Sequence, residues 1–436
     1  MAKNIGWLMG SQSFTGVVSL VYLAIAARAL GPRSFGSFTL ILTYAQLITN
    51  LVQFQSWKGV IRYGAGHRAI ADQDRLSRLF GLTATLDWAS AIVGFLIAVV
   101  GVPLLAPLLH WTIVEQQYAT WFGGFLLMMT GATATGMLRL FDRFDAIAYC
   151  DAVAPVMRLG GSLIAWFWGG GVAAFLIVWA VAVAVQFGLQ WIAALKVHGS
   201  PIFVGPRHFM AAVKENRRVL RFMFQTNLAN SLGMFWLQIG TLAVGSVAGP
   251  ADAGGFRIAL RLSKAIAKPA EPITRALYPE LARLVAANDH ATARGVLMRI
   301  SLVAFGLAVM VVLLTAFGGR EILGLIAGKK FEFAQTFLFL LAIAAAIDLA
   351  GFALEPFHNA HGRSGRLLRS RVVGAAVYLV LLAVLVRQLG AEGAAFAAIG
   401  ASAVIFIQLA ISAREILQRT ANRAHLASAL SNELEP

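Results

Sequence analysis

The chain has 436 residues, of which 59% are apolar and 13% are charged, and its formal net charge is +16. Its mean hydropathy is +0.74, whereas an ordinary soluble domain carries about 25% charged residues. These values exclude a disordered protein and a secreted disulfide scaffold, and they argue against a soluble enzyme, because no soluble core buries so much apolar surface. The single cysteine, Cys150, excludes an internal disulfide and a cysteine-based zinc site. We therefore expect a protein whose solvent is the bilayer.

Apolar stretches of about 20 residues recur along the whole chain, and each is long enough to cross a bilayer as a helix. They predict an all-α integral membrane protein with twelve transmembrane helices. The predicted spans are 8–29, 35–57, 81–105, 119–140, 146–168, 172–195, 222–244, 256–278, 296–318, 334–355, 372–389 and 394–413. The first span resembles a secretory signal because Lys3 precedes it and 27–29 imitate a cleavage site, but its length favours a retained helix.

The positive charge indicates how the chain is oriented. Twelve spans place both termini on one side of the membrane. With cytoplasmic termini, 24 of the Lys and Arg residues lie in cytoplasmic segments or the span ends next to them, and 6 lie in the opposite loops or the span ends next to those, as the positive-inside rule requires. We interpret most of these charges as topology signals and lipid-headgroup contacts, so the basic composition does not imply a nucleic-acid partner.

A short pattern occurs twice and indicates an internal duplication. Residues 31–38 read GPRSFGSF and residues 249–256 read GPADAGGF, so both follow G-P-x-x-x-G-x-F at an offset of 218 residues. Pro and Gly end one helix and turn the chain into the next. Six spans per half predict two six-helix bundles related by a parallel repeat. The predicted division is an N-terminal bundle (1–198), a basic cytoplasmic linker (199–221), a C-terminal bundle (222–413) and a cytoplasmic tail (414–436).

The eighth span carries an unusual charged stripe. Its charged residues are spaced by three or four positions and therefore share one helix face; they are Arg257, Arg261, Lys264, Lys268, Glu271 and Arg275. A cation at the centre of an isolated membrane helix costs about 2.5–3.5 kcal/mol, and a Leu or Ile returns only about 0.5 kcal/mol. The stripe must therefore face protein or water. Pro269 and Pro272 would kink the helix, which suits a cavity wall.

Three other interpretations of this stripe remain open. In the first, Arg257 and Arg275 lie near the span ends and extend to the lipid headgroups. In the second, Glu271 pairs with Lys268 or Arg275. In the third, the whole segment is an amphipathic interfacial helix, which leaves eleven spans.

We predict that Arg261, Lys264 and Lys268, together with Arg257, line a positive, water-filled cavity that binds an anionic passenger. Arg158, in the fifth span, is the matching cation of the first half. It is either a second anion ligand or the partner of Asp151.

Acidic and amide side chains inside the spans suggest further roles. Asp348 is the predicted coupling residue, with Glu271 as a weaker candidate, because a buried carboxylate carries a proton or binds Na⁺. Asp87 and Glu355 are interpreted as interface residues near span ends. A set of amides either binds sugar hydroxyls or joins helices; its members are Gln12, Gln225, Asn227, Asn230 and Gln238.

Several short motifs together resemble those of Wzx-type oligosaccharide flippases of the polysaccharide transport family. They are 31–38, Arg143-Phe144, Gly328-Lys329-Lys330-Phe331 and His361-Gly362-Arg363. This family belongs to the larger superfamily that includes multidrug extruders and the peptidoglycan lipid flippase. The resemblance implies two six-helix bundles around a central cavity that opens alternately to each side. It also implies an undecaprenyl-pyrophosphate-linked oligosaccharide as passenger, a bacterial inner-membrane location and a role in cell-surface polysaccharide biosynthesis, with a glycan polymerase and chain-length proteins as partners.

Two alternatives are a proton- or cation-coupled drug antiporter of the same fold and a membrane glycan polymerase or ligase. The second requires a large external loop with catalytic side chains, but the loops predicted outside are short and contain one histidine, His110. The sequence has no H-E-x-x-H, G-x-S-x-G or P-loop motif. We therefore expect no enzyme and no cofactor other than a coupling H⁺ or Na⁺.

Overall fold

The computed structural model describes residues 2–267, 277, 280–287 and 289–433. Side chains are described from residue 14 to residue 418, except at 228–237, 266–267, 290 and 364 and within the gaps above. The described residues form helices and connecting turns, with no β-strand among them. By internal contacts the chain divides into two compact units, which we call unit 1 and unit 2.

Unit 1 comprises Met1–Gly254 and Ile326–Gly328. Its helices are α1 (Ala2–Val52), α2 (Ser56–Ala69), α3 (Gln73–Leu105), α4 (Ile113–Met128), α5 (Ala132–Leu140), α6 (Phe144–Phe167), α7 (Val172–His198), α8 (Pro206–Glu215) and α9 (Val219–Val247). Helix α1 packs against α6 and α9, and the short helix α8 packs against α3. The tyrosine hydroxyl of Tyr44 donates a 2.7 Å hydrogen bond to the carbonyl of Ala98, which joins α1 to α3.

Unit 2 comprises Gly255–Leu325 and Lys329–Pro436. Helix α10 (Pro250–Ala267) begins in unit 1 and continues here, and it is followed by α11 (His290–Ile326), a 3₁₀ turn (Lys329–Ala334), α12 (Gln335–Ala350), α13 (Leu354–Ala360) and α14 (Ser364–Glu433). Helices α12 and α13 both pack against α14. A buried apolar cluster that includes Leu281, Leu297 and Phe357 forms part of the core of unit 2.

Eight helical segments of the described chain are long and apolar enough to cross a membrane. Two of them, Phe14–Ala69 and Gly365–Gln418, have 56 and 54 residues. One crossing needs about 20 residues, so each of these segments is long enough for the two predicted spans that it covers. The eight segments thus contain ten of the twelve predicted spans. The predicted span 256–278 is described only as far as Ala267, and the count of twelve stays a prediction. The all-α membrane architecture is confirmed.

Glycines form the turns that the repeated pattern predicts. Gly31 has a φ of +71° where α1 changes direction, and Gly249 has a φ of +89° immediately before α10. L-residues rarely adopt this left-handed conformation, so glycine is the natural residue at both positions. Gly390, with a φ of +57°, makes a similar break within α14.

Two connections differ from the sequence-based expectation. The predicted spans 35–57 and 81–105 leave the basic segment 58–80 as a connecting loop, but most of it lies in α2 and the start of α3, whose first turn is capped by the Asp72 side chain. Hydropathy missed these helices because polar residues fill their exposed faces. The predicted span 119–140 is also interrupted at 129–131, between α4 and α5.

The division into units does not coincide with the predicted linker at 199–221. Within that linker, α8 is the short amphipathic helix that the sequence suggests, and it begins with Pro206 after Gly205. Helix α9, which was assigned to the C-terminal bundle, packs within unit 1 against α1 and α2. The assignment of 1–198 and 222–413 to two repeated bundles stays a prediction.

Candidate functional site

The candidate site is built on α10, whose side chains separate into two faces. Phe256, Ile258 and Leu262 are each at most 5% exposed, whereas Arg261 and Lys264 are exposed and Arg257 is half-buried. Apolar residues at helical spacing hold one face of α10 in the core and leave the opposite face to its cations. The described half of the predicted charged stripe is therefore outside the packed core. Lys268 and Glu271 lie outside the described residues.

The helix is held in place where glycine permits a close approach. An added Cβ on Gly255 would lie 3.0 Å from the Phe333 ring and 3.1 Å from the Cβ of Ala334. These two residues belong to the 3₁₀ turn that follows the Gly328-Lys329-Lys330 motif. This contact in unit 2 fixes the first turns of α10 and so positions Arg257, Arg261 and the residues that follow.

Lys264 interacts with charged side chains of both signs. Asp348 on α12 attracts its ammonium group, and Arg257 and Arg261 on its own helix repel it. The carboxylate of Asp348 also accepts a hydrogen bond from the Ser402 hydroxyl on α14. The predicted coupling residue and one predicted passenger-binding cation thus interact electrostatically within unit 2. Sequence reasoning did not associate the two residues, because they are separated by more than 80 positions.

A cavity of about 510 Å³ in unit 2 adjoins Asp348. Its lining is mainly apolar, with the polar side chains of Asp348, Glu355, Arg371 and Ser402 among it. Arg371 Nη2 and Glu355 Oε2 form an ion pair at 2.8 Å. Glu355, interpreted from the sequence as an interface residue, is therefore also part of a cavity wall.

Arg158 occupies a different unit from the α10 cations. In unit 1 its guanidinium group lies 3.8 Å from the ring centroid of Trp179, in cation–π geometry. Asp151, the alternative partner for Arg158, accepts hydrogen bonds of 3.0 and 3.2 Å from Gln186 and Gln190 and interacts electrostatically with Arg139. The role of Arg158 as a second anion ligand stays a prediction.

Asp87 is the polar residue that sequence reasoning placed wrongly. It was interpreted as an interface residue, but its side chain is fully buried in unit 1. One carboxylate oxygen accepts hydrogen bonds from the backbone N–H and the hydroxyl of Thr133, at 3.0 and 2.7 Å, and the other accepts one from the Ser56 hydroxyl. Thr133 and Ser56 lie in the first turns of α5 and α2, so two helix N-termini converge on one carboxylate.

The predicted set of amide side chains was expected either to bind sugar hydroxyls or to join helices. Gln238 donates a 3.3 Å hydrogen bond to Gln46 on α1, which supports its role in joining helices. Gln225 is exposed. The side chains of Gln12 and Asn230 lie outside the described residues. No group of three or more His, Cys, Asp or Glu residues that could hold a metal ion occurs in the part of the chain that the structure describes.

The arrangement of these helices is that of a known class of membrane proteins. Among solved structures, an inward-facing multidrug resistance transporter of the MATE family in the MOP superfamily matches with a TM-score of 0.72 at 14% identity, covering 93% of this chain and 96% of its own. Lipid II flippase MurJ in an inward closed conformation matches with a TM-score of 0.70 at 11% identity, covering 99% of this chain and 93% of its own. The chain is thus a multi-pass membrane protein with the fold of the MOP-superfamily transporters and flippases.

Sequence comparison gives the family. The family described as "Polysaccharide biosynthesis protein" matches residues 1–285, and the chain belongs to this family. Inner membrane protein YghQ of Escherichia coli (strain K12) is 30% identical over 340 residues, which cover 76% of this chain and 93% of that protein. The resemblance to oligosaccharide flippases noted from the sequence motifs is therefore confirmed at the level of family and fold.

Proposed function

We propose that this protein is a flippase that moves an undecaprenyl-pyrophosphate-linked oligosaccharide across the bacterial inner membrane by alternating access, for cell-surface polysaccharide biosynthesis. The observation that carries the proposal is the exposed cationic face of α10, formed by Arg257, Arg261 and Lys264 opposite a buried apolar face. Arg and Lys bind phosphate oxygens through charge-assisted hydrogen bonds, and cations inside a membrane protein mark substrate paths.

The family and the relatives agree with this passenger class. The family is named for polysaccharide biosynthesis, one structural neighbour is a lipid II flippase, and the relative YghQ is an inner membrane protein. An inner-membrane location with both termini in the cytoplasm also agrees with the bias of Lys and Arg toward the predicted cytoplasmic segments. Asp348 is the proposed coupling residue, and a polymerase and chain-length proteins are the proposed partners.

The proposal is tested by complementation of a strain that lacks the gene. Wild-type protein restores the surface glycan, and we expect Arg261→Ala and Lys264→Ala to reduce it severely while the protein still inserts into the membrane. The strain without the gene accumulates complete lipid-linked repeat units on the cytoplasmic face. Arg294→Ala, which removes an exposed cation of α11, is the matched control and retains export. Normal export in both α10 variants would remove this face from the mechanism.

A drug or cation antiporter is the second candidate, because Asp348 provides a carboxylate beside a partly apolar cavity and a drug transporter shares the fold. This function predicts drug sensitivity after deletion of the gene, with no change in surface glycan. The converse result favours the flippase. Drug sensitivity and surface glycan, both measured on the deletion strain, thus distinguish the two functions.

A further inference from the structure

We propose that a basic surface on unit 1 binds the phosphate group of an anionic phospholipid in the cytoplasmic leaflet. The surface, which we call the basic corner, lies where α8 meets the start of α9. Its exposed cations are Arg62 on α2, Arg207 and Lys214 on α8, Arg217 and Arg218 in the turn between the helices, and Arg221 on α9. The sequence predicts headgroup contacts for basic segments in general, but not a surface that selects anionic lipid. The passenger takes no part in this binding, so the inference stands apart from the proposed function.

The basic corner contains little compensating negative charge. Glu215 is the single acidic residue between 199 and 225, and its carboxylate forms an ion pair at 2.7 Å with Arg78 on α3. The exposed cations of the segment are therefore not neutralised within it. Clusters of Lys and Arg at the cytoplasmic end of a membrane helix are the pattern by which anionic headgroups are recognised.

Packing against α3 holds the basic corner in place. Ala212 on α8 and Val219 and Met223 on α9 are buried in one apolar cluster with side chains of α3. The ion pair of Arg78 with Glu215 attaches the end of α8 to the same helix. Because the two helices are already fixed, little further ordering is needed when a phosphate group binds, and a preorganised surface binds more tightly for that reason.

The turn between α8 and α9 has an unusual backbone conformation. Asn216 Oδ1 lies 2.9 Å from His67 Nε2 on α2, and Asn216 Nδ2 donates a 2.9 Å hydrogen bond to the carbonyl of Ala212. Arg218 follows with a φ of +69°, a left-handed conformation that glycine adopts readily and that is unfavourable for other residues. An arginine at a position where glycine would be less strained indicates that its side chain has a function.

Aromatic rings hold a further guanidinium group beside α9. The guanidinium of Arg62 lies 4.4 Å from the ring centroid of Phe222 and 5.8 Å from that of Tyr63. The two rings are themselves in edge contact, with centroids 6.0 Å apart. A guanidinium that stacks on a ring through its face keeps its N–H donors in the plane of the group, where phosphate oxygens bind them in pairs.

Exposed apolar side chains lie beside these cations. Val204 before α8, Met210 on α8 and Phe224 on α9 are 63%, 55% and 61% exposed. Arg221 and Phe224 are three positions apart and share one face of α9. The predicted span begins at 222, so the cation lies at the level of the headgroups and the ring at the level of the acyl chains. A phospholipid presents a phosphate and then an acyl chain in the same order, which favours it over an acidic protein segment.

Native mass spectrometry of the full-length protein in detergent tests this inference, with phosphatidylglycerol and phosphatidylcholine of identical acyl chains as probes. We expect the wild type to bind phosphatidylglycerol more tightly, with a preference that falls as the salt concentration rises. A triple variant with Arg217→Gln, Arg218→Gly and Arg221→Gln should lose most of this preference. Each cation near the membrane surface contributes about fivefold in affinity, and three contribute on the order of 100-fold.

Two further variants separate lipid binding from general effects of charge and folding. Arg294→Gln, Arg299→Gln and Arg369→Gln together remove three exposed cations from the predicted cytoplasmic side of unit 2, and this control should keep the preference. Arg218→Gly alone should unfold at or near the wild-type temperature, because glycine accepts the left-handed backbone. It should nevertheless bind phosphatidylglycerol about fivefold more weakly.

Equal affinity of the wild type for the two lipids, or an unchanged preference in the triple variant, would show that the basic corner does not select anionic lipid. A triple variant that bound undecaprenyl pyrophosphate more weakly but phosphatidylglycerol as the wild type does would place the corner on the passenger's path, and the phospholipid inference would be wrong. Failure of the wild type to bind undecaprenyl pyrophosphate would contradict the proposed function alone, since the comparison of the two phospholipids does not involve the passenger.

Discussion

Gly36 and Gly254, which occupy equivalent positions in the two copies of the G-P-x-x-x-G-x-F pattern, pack against each other in unit 1. An added Cβ on Gly254 would lie 3.1 Å from the Cα of Gly36, and an added Cβ on Gly36 would collide with the carbonyl of Pro250. The sequence indicated only that the Pro and Gly residues of the pattern turn the chain from one helix into the next. In the structure it allows the two copies of the pattern to approach backbone to backbone.

This contact predicts that Gly36→Ala is strongly destabilising. The new methyl group meets backbone atoms of Pro250, which cannot move aside as a flexible side chain can, and overpacking of this kind costs about 1–3 kcal/mol or more. Thermal unfolding of the purified protein in detergent, followed by tryptophan fluorescence, measures the effect. Gly160→Ala, where nothing lies within 4 Å of an added Cβ, is the control and should unfold at or above the wild-type temperature. Equal unfolding temperatures for the two variants would contradict the close approach.

The buried carboxylate of Asp87 predicts a second stability effect. Asp87→Ala leaves the Thr133 N–H and hydroxyl and the Ser56 hydroxyl without their acceptor, and each unsatisfied buried group costs about 1–3 kcal/mol. We expect the unfolding temperature to fall steeply, with a smaller loss for Asp87→Asn, which keeps one acceptor oxygen.

The matched comparison for Asp87 is Asp142→Asn, since Asp142 has a 70% exposed side chain in a surface ion pair with Arg68 and asparagine tolerates its left-handed backbone, with a φ of +59°. Surface pairs contribute about 0–1 kcal/mol, so this variant should remain close to the wild type. An Asp87→Ala protein as stable as Asp142→Asn would show that the convergence of α2 and α5 on this carboxylate does not stabilise unit 1.

The ion pair between Arg78 and Glu215 joins α3 to α8 and provides a third test. Its closest atoms are 2.7 Å apart, and both side chains are only about one-fifth exposed. Hydrogen bonds to charged groups contribute about 1.5–3 kcal/mol, so Arg78→Gln should loosen α8. We expect faster tryptic cleavage at Arg217 and Arg218, directly after this helix.

The preceding basic residue on α3 provides the control for that cleavage experiment. Arg75 pairs with Asp72, but their side chains are 47% and 30% exposed, and an exposed pair contributes little. Arg75→Gln should therefore leave the cleavage rate near that of the wild type. A charge exchange, Arg78→Glu with Glu215→Arg, should restore protection, and failure of both contrasts would mean that packing alone holds α8.

The sequence predicted features that depend on local chemistry. Long apolar runs indicate membrane helices because each run alone can cover the bilayer. Positive φ values at Gly31 and Gly249 follow from a pattern that only glycine satisfies readily. The two faces of α10 follow from its residue spacing, since the described cations avoid the side that packs in unit 2.

Features that depend on distant residues were not predictable in the same way. Asp87 looked close to a span end because the hydropathy of the chain rises only near residue 81. The helix begins at Gln73, which places Asp87 about four turns inside it. The interruption at 129–131 lets the N-terminus of α5 point at Asp87, and the apolar residues around it did not indicate that long-range contact. The electrostatic attraction between Lys264 and Asp348 likewise joins residues that are distant in sequence, and no spacing encodes it.

Arg158 provides the last prediction, because its two proposed roles respond differently to mutation. If its contact with the Trp179 ring is only structural, Trp179→Leu and Arg158→Gln should lower the unfolding temperature to a similar extent, since a desolvated cation–π contact contributes about 2 kcal/mol.

If Arg158 is also an anion ligand, Arg158→Gln should additionally weaken the binding of undecaprenyl pyrophosphate, and Trp179→Phe, which keeps an aromatic face under the guanidinium, should preserve it. Calorimetry with the three variants measures both properties on the same samples. Unchanged affinity in Arg158→Gln would remove Arg158 from the binding site and leave the cations of α10 as the proposed ligands.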